Sequence, residues 1–132
     1  MNRRVHILTD SASDMAATRP ELTVLPMTVT FGDDAYLDGV TLTHRAFYEK
    51  LVESDALPTT SQIAPFDFEQ AFRAAREAGE EVVAITISSK LSGTCQSARL
   101  AAEACGEGVY VVDSESASIG ERVLVEYALR LL

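Results

Sequence analysis

Residues 82–87, VVAITI, form an apolar run broken only by one threonine. A half-exposed strand alternates apolar with polar residues. A strand without a solvent face must be covered on both sides, as in parallel sheets flanked by helices. Residues 5–9 (VHILT) and 109–112 (VYVV) are further short apolar runs, and the latter reads as another buried strand. Between such runs lie stretches of helical period. Thr43 can cap a helix carrying Phe47, Tyr48 and Leu51, and Asp67 can cap one carrying Phe68, Ala71, Phe72 and Ala75, ended by Gly79. An Ala-rich helix is expected over 94–104, and another from Ile119 to the last residue. Residues 22–31 (LTVLPMTVTF) read as extended, bent or at an edge because Pro26 lacks a ladder donor. Gly32-Asp33-Asp34 is a turn that can return residues 35–37 as a small hairpin. Strands alternating with helices predict an α/β fold, a parallel sheet with helices on both faces.

Length predicts one domain over residues 1–132, and 47% hydrophobic residues are enough for a core. Eleven basic against twenty acidic side chains leave a charge of −9. The only lysines are Lys50 and Lys90 and the arginines are scattered, so the clustered basic face of a nucleic-acid-binding protein is missing. No apolar run approaches the roughly 20 residues of a membrane-spanning helix, and MNRRVHILTD does not read as a signal peptide. Cys95 and Cys105 make no disulfide framework and lack zinc-ligand spacing with His6 or His44. A reducing, cytoplasmic compartment is expected, with no metal and no cofactor. The apolar end Leu129-Arg130-Leu131-Leu132 needs something to pack against, which leads us to expect a longer protein.

Ligands of open parallel sheets bind at the carboxyl ends of the strands. Three such ends are rich in short polar residues: 9–14 (TDSASD), 88–94 (SSKLSGT) and 113–118 (DSESAS). The second is the most informative. Gly93 lets the backbone approach a ligand, and Ser92 and Thr94 place hydroxyls at a helix start, where free N–H groups and the dipole favour an anion. Alternatively, Ser92 or Thr94 only caps its helix. No phosphate loop of the form G-x-x-x-x-G-K-[ST] exists, and Asp10, Asp14 and Asp113 would repel a dianion, so a carboxylate suits the charge balance better. Asp10 could also be the nucleophile of a metal-assisted, phosphatase-like hydrolase. Its partner Asp14 is spaced D-x-x-x-D rather than D-x-D, which favours a structural Asp10 bonding loop N–H groups. His6 and His44 lack catalytic context, and no triad can be assembled. Residues 58–62 (PTTSQ) read as a solvated connector between helices. Ala98, Ala101, Ala102 and Ala104 fit tight helix–sheet packing, or room for an inserted apolar chain.

Taken in order, ILTDSASDM at 7–15, VLPMTVTFGDDAYLDG at 24–39, LPTTSQ at 57–62, ISSKLSGTCQSARLAAEA at 87–104 and VVDSESASIG at 111–120 resemble the DegV family. The resemblance covers almost the whole chain, and TTSQ combined with SSKLSGT is highly specific. It implies a bacterial lipid-binding protein about twice this length, of which residues 1–132 are the N-terminal lipid-binding domain. Family members are similar to the fatty-acid-binding subunit of bacterial fatty acid kinase, a carrier in phospholipid metabolism. Such a carrier does no bond chemistry itself. It encloses one long-chain fatty acid and presents the carboxylate to a separate kinase subunit, which makes an acyl phosphate. By motif, Thr60 and Ser92 are implied to hydrogen-bond the carboxylate, with Ser61, Gly93 and Thr94 in support. The family adds a basic Arg/His contribution from its second domain. Ile63-Ala64-Pro65 departs from the commoner proline directly after the glutamine.

Overall fold

The computed structural model describes residues 3–132 and contains two sheets. The larger is wholly parallel, in the order β2-β1-β6-β7, from β1 (Arg4–Asp10), β2 (Leu22–Leu25), β6 (Glu80–Thr86) and β7 (Val109–Asp113). The smaller is antiparallel, in the order β4-β3-β5, from β3 (Thr28–Phe31), β4 (Asp34–Leu37) and β5 (Thr59–Ser61). Among the described residues there are also a 3-10 turn at Ser11–Ser13 and four α-helices: α1 (His44–Glu53), α2 (Pro65–Glu77), α3 (Thr94–Cys105) and α4 (Ile119–Arg130). The expected parallel sheet with helices on both faces is therefore present.

The period of two explains the layering. Along β1 and β6, Leu8, Val82 and Ala84 face one side, where Phe68 and Phe72 of α2 and Ala98 of α3 pack on them. Ile7 and Ile85 face the other, against Val125 and Leu129 of α4. The alanines of α3 thus let it settle closely on the sheet, and the rings of Phe68 and Phe72, centroids 5.7 Å apart, fill the space beside them. A third cluster, Val29, Phe31 and Leu42 with Phe47, joins the small sheet to α1.

Pro26 marks the divide between the sheets. Residues 22–31 do not form one bent strand: β2 belongs to the parallel sheet and β3 to the antiparallel one. The buried Ser11 hydroxyl accepts from Met27 N–H at 3.0 Å and holds this junction to the end of β1. Thr43 caps α1 as expected, accepting from Ala46 N–H at 3.1 Å, but Tyr48 and Leu51 of that helix are exposed.

Three expectations need correction. Asp67 is not the cap of α2. The helix starts at Pro65, whose ring fixes a helical φ and whose missing N–H costs nothing in a first turn, so Asp67 sits inside that turn. β7 is not buried on both faces: it is an edge strand with Tyr110 and Val112 exposed, because α4 lies over β1 and β6 instead. The PTTSQ segment is solvated as expected but is not only a loop, since Thr59–Ser61 pairs with β3.

The wholly buried Phe72 should be the more costly of two aromatic truncations. Phe72→Ala is expected to lower unfolding free energy by about 3–5 kcal/mol, while Tyr48→Ala at an exposed position should change it by about 0.5 kcal/mol or less. Urea denaturation measures both.

Candidate functional site

Because β1, β6 and β7 run parallel, their carboxyl ends form one rim, and backbone bonds join the three loops there. Ser88 N–H donates to Ser116 O at 2.8 Å, Ser114 N–H to Thr86 O at 3.2 Å, and Ser118 N–H to Ala12 O at 2.7 Å. The Ser118 hydroxyl donates to the Asp14 carboxylate. Asp113 accepts from Ser89 N–H and Glu115 N–H, and the hydrogen bonds from Ser89 and Glu115 hold its carboxyl below the usual range.

Asp10 lies beneath this rim, wholly buried. Its Oδ1 accepts from Ala12 N–H at 3.0 Å and its Oδ2 from Ile87 N–H at 2.7 Å. Both oxygens are therefore engaged in tying the first loop to the end of β6. Among the described residues no group of three or more His, Cys, Asp or Glu side chains could hold a metal ion. The Asp10-dependent, metal-assisted hydrolase thus gains no support, and the structural role of this aspartate is the observed one. His6 is structural too, with ring nitrogens 2.7 Å from Thr23 Oγ1 and 2.9 Å from Glu80 Oε2.

Sequence reasoning missed Glu121, the neighbour of Asp10. It reads as a surface residue in the first turn of α4, yet it is fully buried. Its Oε1 accepts from the Thr9 hydroxyl at 3.1 Å, and its Oε2 has no hydrogen-bond partner among the described residues. Burial, followed by the adjacent Asp10, pushes its carboxyl up to about 9. Burial raises Asp10 as well, against the N–H bonds that favour its charged form. Both carboxyls of the pair are thus pushed toward their protonated forms, Glu121 the further of the two.

The hydroxyl-bearing loops meet at the start of α3. Thr94 is wholly buried, and its Oγ1 accepts from Ile63 N–H at 3.3 Å and lies 2.9 Å from Ser92 Oγ. Ser92 Oγ also accepts from Thr94 N–H at 3.2 Å. A buried hydroxyl hydrogen needs an acceptor, and Ser92 Oγ is the one within reach of Thr94. Either hydroxyl of this pair can donate to the other, and where Thr94 donates, the hydrogen of half-buried Ser92 is free to turn outward. The observed bonds of Ser92 are thus local ones at the start of α3, whose cap position is Gly93 without a side-chain bond.

Thr60 reaches the region from β5. It stands opposite Val29 and so shares that face of the small sheet with Phe47 of α1. There it lines a pocket of about 200 Å³ with Asp14, Val29, Asp38, His44, Phe47 and Tyr48. Ser92 is not part of that lining, so the two implied carboxylate ligands do not share this pocket. Ser61 pairs with Thr28 and is exposed. Two residues beyond Thr60, Gln62 and Ile63 touch the α3 start, and beside them a groove of about 500 Å³ carries Leu25, Pro26, Leu37, Ile63 and Ala71 on its walls.

The chain is similar to known proteins in sequence and in fold. A protein-family model described as "Uncharacterised protein, DegV family" matches residues 4–132. A DegV domain-containing protein of Clostridium perfringens is 36% identical over 133 residues, covering 98% of this chain and 48% of the relative. The chain spans about half the length of the curated relatives it matches. A solved structure described as fatty acid binding of a DegV family protein from Thermus thermophilus has a TM-score of 0.88 at 38% identity, over 97% of this chain and 47% of that chain. A fatty-acid-binding protein from Eubacterium ventriosum, described with stearic acid, has a TM-score of 0.87 at 28% identity, over 96% of this chain and 47% of that one.

Two outcomes follow from the buried groups. Thr94→Val orphans Ile63 N–H and is expected to cost about 1–3 kcal/mol in urea denaturation. Glu121 holds its proton up to about 9 when folded but has an ordinary value of 4.5. Between those values the unfolded chain releases a proton that the folded chain keeps, so this group's contribution is full below pH 4.5 and is lost as pH rises toward 9. Glu121→Gln should therefore melt near the wild type at pH 5 and increasingly above it at pH 7 and 8.5, read as Tm by calorimetry.

Proposed function

The chain belongs to the DegV family, and on that premise we propose that it binds a long-chain fatty acid through hydroxyl donors at the rim. The observation that carries the reading is the likeness to the Thermus protein, whose structure is described as fatty acid binding. The rim supports it chemically. Ser92 has a hydroxyl hydrogen to donate, and Thr60 stands exposed on β5 two residues before the contact with α3. Leu25, Pro26, Leu37, Ile63 and Ala71 give apolar surface for the tail in a groove that also carries Thr28, Gln62, Asp67 and Gln70 and lies on the face of the small sheet opposite Thr60.

Energetics fit this division of labour. Each buried methylene stabilises by about 0.8 kcal/mol, so the tail supplies the affinity before ordering costs. The head then needs orientation rather than a strong counter-charge, which suits neutral hydroxyls in a chain of charge −9. Ser61, Gly93 and Thr94 support the two ligands. Residues 1–132 act as the lipid-binding domain of a longer protein, a carrier without bond chemistry of its own. It presents the carboxylate to a separate fatty acid kinase, in a reducing cytoplasmic setting that suits the free thiols of Cys95 and Cys105. No helix of the described residues is long and apolar enough to cross a membrane.

Solvent extraction of the denatured, purified protein followed by mass spectrometry should recover a stoichiometric fatty acid. Recovery of none, together with no uptake of added oleate, rejects the reading. Ser92→Ala and Thr60→Val each remove one hydrogen bond to a charged group and should weaken oleate binding by about tenfold or more. Isothermal titration reads that loss, and unchanged affinity in both variants would displace the carboxylate from these residues.

A further inference from the structure

We propose that Gln62 is a positioning residue whose amide, wedged against the bare Cα of Gly93, sets the Ser92 hydroxyl where a bound carboxylate can use it. This rests on the fatty-acid reading and adds to it the residue that joins the two ligand loops.

Position 93, just before α3, is a glycine. Its φ of −73° and ψ of −1° are helical values open to any residue, so conformational freedom does not call for it. Space does. A Cβ there would stand 2.7 Å from Gln62 Cδ and 3.1 Å from Nε2, and closer still to Oε1. The close approach expected of Gly93 is thus to a side chain of its own protein.

The wedge is continuous with the ligands on both sides. In sequence, Gln62 follows Thr60 and Ser61 at the end of β5. In space, its Nε2 lies 3.5 Å from Ser97 Oγ in the first turn of α3, a long contact that adds direction more than strength. Ile63 N–H meets Thr94 Oγ1 at 3.3 Å, and Thr94 Oγ1 meets Ser92 Oγ at 2.9 Å. A flexible amide at the far end of a side chain can be evicted without rebuilding the backbone. Gly93→Ala should therefore act as Gln62→Ala does, by removing the same wedge.

The test titrates the protein with cis-parinaric acid and with its methyl ester, which shares the tail but lacks the anionic head. Gln62→Ala and Gly93→Ala are each expected to weaken the acid by about tenfold while moving the ester by less than about threefold, and the double variant should be no worse than either single one. Losses that multiply in the double variant, equal losses for acid and ester, or unchanged acid binding in Gln62→Ala would each overturn the assignment. Gln62→Ala only shortens an exposed side chain, so its result stands even if Gly93→Ala is poorly folded. Failure of the wild type to bind either probe would instead sink the fatty-acid reading itself, and this assignment with it.

Discussion

The buried carboxylate of Asp10 holds the rim together. Loops at the ends of parallel strands leave backbone N–H groups without ladder partners, and a buried unpaired donor is costly. Asp10 accepts one from its own loop and one from the end of β6. That places the segment before Ser92 at a set distance from the first loop. Glu121 is the consequence: a second carboxyl in the same dry space can remain only by keeping its proton.

Thr94 performs a comparable task between the two sheets. The antiparallel sheet has its own small core around Val29 and Phe31, so nothing in its ladder dictates how it meets the parallel one. Ile63, at the foot of β5, sits in the core of α2 and α3 and donates its N–H to Thr94. The motif containing Thr60 and the motif containing Ser92 are therefore coupled through one buried hydroxyl and one amide contact. Their hydroxyls open on different surroundings, with Thr60 over α1 and Ser92 at the α3 start.

On the proposed function, neutral donors suit an anionic head in a chain of charge −9. Hydroxyls and N–H groups orient a carboxylate without neutralising it, so its oxygens stay nucleophilic and accessible. In that proposal the burial of apolar chain, rather than the head contact, supplies most of the affinity.

Local pattern was enough for much of this. The apolar run at 82–87 could exist only inside a covered sheet, and the polar loops after 9, 87 and 112 fall on one rim because parallel strands share a carboxyl edge. The family was legible in motif order across the chain. Three-dimensional neighbours decided the rest. Residues 59–61 are polar and carry no strand signal of their own; they pair because β3 offers an open edge. Val112 is exposed although its run is apolar, since helix placement and not composition determines which strand is covered. Glu121 is buried because α4 turns that face to the sheet. Glycine at 93 announces a close approach in any sequence, but only folding brought Gln62, thirty-one positions earlier, to fill the space where a side chain would otherwise stand.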